Sequence, residues 1–167
     1  HNRAYSDHAL LDALNRTPLS WILIRHSLQV TLFMALGRIF DTNHDAFSVD
    51  DLLKCCLNNI DMYSRENLKK RKIGDKKEEP EWLAEYIESA YVPLPSDFRK
   101  LRKEVGKYRK VFETIYRPIR HKLIAHNNKD YLGKSDILWS ETNIGELERI
   151  IWFLHDLKET LFETYHN

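Results

Sequence analysis

Apolar residues along this chain recur at steps of three and four, and strict alternation is nowhere sustained, so the pattern predicts helices throughout. Thr17-Pro18 reads as an N-cap followed by proline at the first helical position. From there Trp21, Ile24, Leu28, Leu32, Ala35 and Ile39 form one stripe, widened by Leu23, Val30 and Met34, which predicts a central helix ending near Phe40. "DTNHD" then reads as a loop. Ser48 with Asp51 forms a capping box that opens a shorter helix through "VDDLLKCCLNNI". A charged helix follows around "SRENLKKRK", and Gly74 with "DKKEEP" interrupts it. Pro80 starts "EWLAEYIESAY", which "VPLP" ends, since proline disfavours helix in the residue before it.

Ser96 is read as the cap of the longest helix, running to about His126 with the stripe Leu101, Val105, Tyr108, Phe112, Ile115, Ile119 and Leu123. Pro118 falls inside it and is expected to kink it, because its ring meets the carbonyl four residues back. Asn127 to Thr142 reads as a loop. Asn143 with Glu146 caps a last helix carrying Leu147, Ile150, Ile151, Leu154, Leu157, Leu161 and Tyr165. The expected fold is all-α: one domain over residues 1–167, a bundle of four principal helices plus one or two short helices.

Composition narrows the function classes. The formal net charge is +1, so attraction to nucleic acid has to come from how charge is distributed. Cys55 and Cys56 are adjacent and are the only cysteines, which fits no zinc spacing and suits a reducing, cytoplasmic setting. The longest uncharged apolar-rich run, residues 27–37, is short of the roughly 20 residues of a membrane span, so no membrane association is expected. The chain opens on His1 rather than Met, and its first residues are given no weight. No glycine-rich phosphate loop or Gly-x-Ser-x-Gly elbow occurs. His121 and His126 are five apart rather than the four of a helical zinc pair, so no metal and no cofactor is expected.

The chemistry gathers in "RPIRHKLIAHNNK", residues 117–129. A turn of roughly 100° per residue from Phe112 puts Leu123 at roughly 20°, His126 at roughly 320° and Arg120 at roughly 80°. His121 falls at roughly 180°, on the outer face. Arg120 and His126 thus share the inward half of the helix. A histidine on an apolar stripe is more often a satisfied core residue than a catalytic one, and an edge arginine commonly lays its methylenes on the core. The alternative is a phosphate site. The guanidinium offers a fixed fork of donors, and the imidazole moves a proton near neutral pH. Together they could cleave RNA without a metal, because the ribose 2′-OH supplies the nucleophile. Arg99 to His126 holds ten Lys or Arg against two Glu, which could draw an RNA backbone toward the site. The competing account is a solvated face that pairs with the acidic helices, the last helix among them. Tyr116 faces inward and is read as packing. Arg117 and His121 both point outward, where a solvated surface pair is the simpler reading.

"RHKLIAH", Arg120 to His126, resembles the R-x(4–6)-H motif of the HEPN superfamily, in which a polar residue often follows the arginine, as His121 does here. "ALGRIFDTNHDAFSVDDLL", residues 35–53, is similar to the abortive-infection U2-like (AbiU2-like) branch, and the resemblance runs from about Thr17 to Tyr165. It implies a metal-independent endoribonuclease of a toxin–antitoxin or phage-defence system. It also implies a homodimer in which the motifs of both chains meet in one cleft. Carried over, Arg120 would hold the scissile phosphate, His126 would act as general acid or base, and His121 would orient the phosphate or the arginine. Arg117, Lys122 and Asn127 would bind substrate. The implied partners are RNA, a second copy and an antitoxin protein. Some members of the superfamily are non-catalytic, so the alternative is a helical module that binds a partner protein or a nucleotide.

Overall fold

The computed structural model describes residues 7–43, 47–74, 78–121 and 142–166, and among these there is no strand. Helix α1 spans His8–Arg16, α2 Pro18–Ile39 and α3 Val49–Asn58. A 3₁₀ turn, Ile60–Tyr63, leads into α4, Arg65–Ile73, and then α5, Leu83–Ser89. Helix α6, Pro95–Val111, passes through a π-helical turn, Phe112–Tyr116, into the short α7, Arg117–Ile119, and the helical path continues to His121. Helix α8, Ile144–His166, closes the fold.

Helix α1 was not expected. Asp7 caps it, its carboxylate accepting from the Leu10 amide at 3.1 Å. Ser48 caps α3 as read: its hydroxyl accepts from the Asp51 amide, and it donates to the Asp51 carboxylate at 2.7 Å, so the carboxylate meets the hydroxyl rather than the Ser48 amide. The start of α6 departs from the reading. Leu94, not Ser96, is the N-cap, with Pro95 at the first helical position. Asp97 reaches back to the Leu94 amide at 2.9 Å and also accepts from the Tyr91 hydroxyl at 2.8 Å. Proline is pre-set for the first helical turn, so the helix begins two residues earlier and the acceptor comes from the third position.

The core runs between α2, α3, α6 and α8. Phe33 stacks on Tyr116, Phe40 packs on Phe112, and Tyr108 stacks on Phe153 of α8 at 4.1 Å between ring centres. Helices α3 and α6 are also joined by a two-pronged pair, Arg102 Nε and Nη2 to the two Asp50 oxygens at 3.0 and 3.2 Å. Helix α2 is only partly central. Phe33, Leu36 and Gly37 are buried, but Leu19, Trp21, Ile22, Leu23, Ile24 and Leu28 are exposed. The stripe was read as core because it is apolar; here its N-terminal part is exposed. By length and composition Pro18–Ile39 is apolar enough to cross a membrane, with a mean hydropathy of 1.3 over its best window. The uncharged run at 27–37 understated this, because Arg25 and His26 break the run without making the helix polar.

Candidate functional site

The site is built where the long helix meets Pro118. Proline lacks an amide hydrogen, and in a regular helix its ring meets the carbonyl four residues back. The chain widens instead: the Arg117 amide donates to the Phe112 carbonyl, five residues back, and the π turn takes up the misfit one turn before the proline. The apolar side stays in register, with Phe112, Tyr116 and Ile119 all buried. Tyr116 donates its hydroxyl to the Asn143 carbonyl at 3.0 Å, with the Glu146 carboxylate 3.4 Å away. This bond ties the end of the helix to the start of α8. Burial, ahead of the nearby Glu146 charge, pushes the Tyr116 phenol above its ordinary range. Asn143 caps α8 through its side-chain oxygen, which accepts from the Gly145 and Glu146 amides.

Arg120 is half-buried, and its guanidinium lies against the backbone of α2 at Gly37. It borders a small polar hollow of about 30 Å³ lined by Gly37, Phe40, Asp41, Thr42, Phe112, Glu113 and Arg117. A hollow of that size holds one water. Arg120 Nε is buried and has no hydrogen-bond partner among the described residues. Arg117 is exposed and stands 3.9 Å from Glu113, a long ion pair that leaves most of its donors to solvent. His121 is exposed and borders a second, open hollow of about 290 Å³ with Glu113, Arg117 and Pro118. The structure therefore brings Arg117, Arg120 and His121 to one end of the bundle. His126, Lys122 and Asn127, together with Leu123 of the stripe, lie outside the described residues.

Much of the basic stretch is already paired. Lys100 bonds Asp97, Lys107 bonds Glu104, and Arg102 bonds Asp50, so the partners are neighbours on the same helix or on α3 rather than the acidic α8. Among the described residues Lys103, Arg109 and Lys110 have no ion pair and leave a smaller cationic face beside Arg117. On the acidic side, the Leu94 amide, the Tyr91 hydroxyl and Lys100 hold the Asp97 carboxyl down at about 2.

Sequence reasoning missed a larger feature. Helices α2, α3 and α8 enclose an apolar groove of about 800 Å³, with Ile39, Leu52, Leu154 and Leu161 in its walls and Arg38 and Lys158 beside them. Phe47, fully exposed at its mouth, was the available signal, being an aromatic residue in a loop with no stripe to join. Cys55 borders the groove, and both cysteines are free thiols. Among the described residues no group of three or more His, Cys, Asp or Glu is placed to hold a metal ion.

A family model described as AbiU2, of the HEPN type, matches residues 6–165. No curated protein and no solved structure matches the chain.

Proposed function

The chain belongs to the AbiU2 family of HEPN domains, and on that premise we propose that it is a metal-independent endoribonuclease of a phage-defence or toxin–antitoxin system. In this reading it works as a homodimer whose two Arg120–His126 motifs share one cleft. The observation that carries it is the state of Arg120. Its guanidinium is half-buried beside a polar hollow and is in no ion pair among the described residues. A structural arginine in that position would be expected to spend its donors on internal acceptors.

The guanidinium holds the non-bridging oxygens of the scissile phosphate. His126 takes the proton of the ribose 2′-OH, the 2′-oxygen attacks phosphorus, and the bond to the 5′-oxygen breaks. The leaving oxygen takes a proton from a second imidazole, the partner's His126, and the products are a 2′,3′-cyclic phosphate and a 5′-hydroxyl. Arg117 and His121, one turn apart on the outer face, steer the strand, as would Lys122 and Asn127. A dimer also suits the exposed apolar length of α2, because an apolar stretch left uncovered in one chain can be covered by a two-fold mate. The second reading, a non-catalytic module that binds a partner protein, is favoured by the apolar groove between α2, α3 and α8.

The deciding experiment is incubation of purified protein with mixed cellular RNA in EDTA, with His126→Ala alongside. Cleavage to cyclic-phosphate ends is expected, and RNA with a 2′-deoxy sugar at the cleavage position should stay intact. Activity that vanishes in EDTA and returns with magnesium would overturn the mechanism. An inactive parent that still captures a protein partner would favour the second reading.

A further inference from the structure

Gly37 is buried on α2, where a helical glycine is less favourable than alanine. A methyl group built on Gly37 would lie 2.9 Å from each of Cζ, Nε and Nη1 of Arg120, closer than real side chains approach. The guanidinium therefore occupies the volume that any other residue's side chain would fill. Gly106, on α6, shows the contrast: a methyl group there meets nothing within 4 Å. Two further observations point the same way. Arg120 Nε is buried at this contact without a partner among the described residues. The polar hollow that Arg120 borders is lined by Gly37 itself, by Asp41 and Thr42, which follow the end of the same helix, and by Glu113 and Arg117.

We propose that Gly37 is a positioning residue. Its bare backbone seats the Arg120 guanidinium against α2 and so fixes where its fork of donors points. This deepens the ribonuclease reading and rests on it for its catalytic consequence, though the seat itself does not. A displaced guanidinium has an easy way out, because it ends a long flexible side chain. A methyl group at Gly37 therefore moves the arginine rather than unfolding the protein. A small displacement of a phosphate clamp is enough to cost catalysis.

The test is Gly37→Ala, measured beside Gly106→Ala and Arg120→Ala in the full chain. The expected Gly37→Ala protein keeps a Tm at or above the parent's. Its Arg120 Nε–H resonance, assigned by its loss in Arg120→Ala, shifts and exchanges faster with water as the group leaves its seat. Its kcat on RNA falls tenfold or more while KM changes less. Gly106→Ala should move none of these except Tm. An unchanged Nε–H resonance and exchange rate in Gly37→Ala would overturn the seat. If the resonance moves and kcat holds while Arg120→Ala is inactive, the positioning role is overturned. If Arg120→Ala cleaves as well as the parent, Arg120 has no part in cleavage and the positioning role is overturned. If the parent itself does not cleave RNA, the ribonuclease reading fails, and the resonance alone then decides whether the seat stands.

Discussion

Tyr116→Phe removes one oxygen from the best-buried ring among the described residues and nothing else. The ring keeps its stack on Phe33 and its place beside Phe112, so no cavity opens. What disappears is the hydroxyl bond to the Asn143 carbonyl. That carbonyl is not orphaned by the change, because the Glu146 and Leu147 amides also donate to it at 3.1 and 3.0 Å. The heavy penalty for stranding a buried acceptor therefore does not apply. The expected cost is that of one neutral hydrogen bond, about 0.5–1.5 kcal/mol. For a chain of this size that lowers Tm by roughly 2–4 °C per kcal/mol. Tyr116→Ala, which empties the core where α2 meets the π turn, should cost about 3–5 kcal/mol. Urea unfolding followed by circular dichroism measures both, and an unchanged m-value confirms that stability alone has moved. A Tyr116→Phe loss above about 3 kcal/mol, against the roughly 1 kcal/mol of a shared bond, would refute the assignment of the Asn143 carbonyl as already satisfied.

Three further outcomes follow from the same geometry. His126→Ala should abolish RNA cleavage while His121→Ala, on the exposed face, lowers it less; a folded His126→Ala protein that cleaves like the parent would remove His126 from the mechanism. Mixing the parent with an equal amount of an Arg120→Ala, His126→Ala double variant should leave about a quarter of the activity per chain if both motifs are needed, and about a half if each chain suffices. Burial raises the folded pKa of both Tyr63 and Tyr116 above the ordinary 10.0, so the unfolded chain loses those protons first and stability should fall as pH rises from about 10. Tyr116→Phe should flatten that fall, as read by urea midpoints at pH 9 to 11.

The sequence shows most clearly what is local. Ser48 with Asp51 and Asn143 at α8 both cap as their spacing implies, because a cap is made within four residues. The all-α fold followed from the three-and-four spacing for the same reason. Helix α1 was passed over because the opening residues were set aside, although Asp7 before "HALLDALNR" carries the cap and the apolar pattern. The start of α6 was misplaced because Ser96 is the better-known cap, while the acceptor that acts is Asp97. Two features were not legible in one helix at a time. A wheel drawn on the long helix sets Arg120 at its edge but cannot show that Gly37, 83 positions earlier, faces it. The same wheel assumes a constant turn per residue, which the π turn at Phe112–Tyr116 breaks.

Helix α2 joins these two failures. Its composition says core helix or membrane span, and its two ends answer differently. The C-terminal part seats Phe33, Leu36 and Gly37 against Tyr116 and Arg120, so it is fixed in the bundle. What remains exposed, from Pro18 to Leu28, would rise roughly 16 Å as a helix, against a hydrocarbon core of roughly 30 Å. To span that core the whole of Pro18–Ile39 would have to leave the bundle. It would then expose Tyr116 and take the bare backbone of Gly37 away from the guanidinium. Arg25 would also enter the apolar layer, where an unpaired cation is costly, and so would the polar ring of His26. A protein surface has none of these costs, since it can cover Leu19, Leu23 and Leu28 and leave Arg25 at its rim. The exposed end of α2 is thus suited to a protein partner by the same contacts that make its other end a support for Arg120.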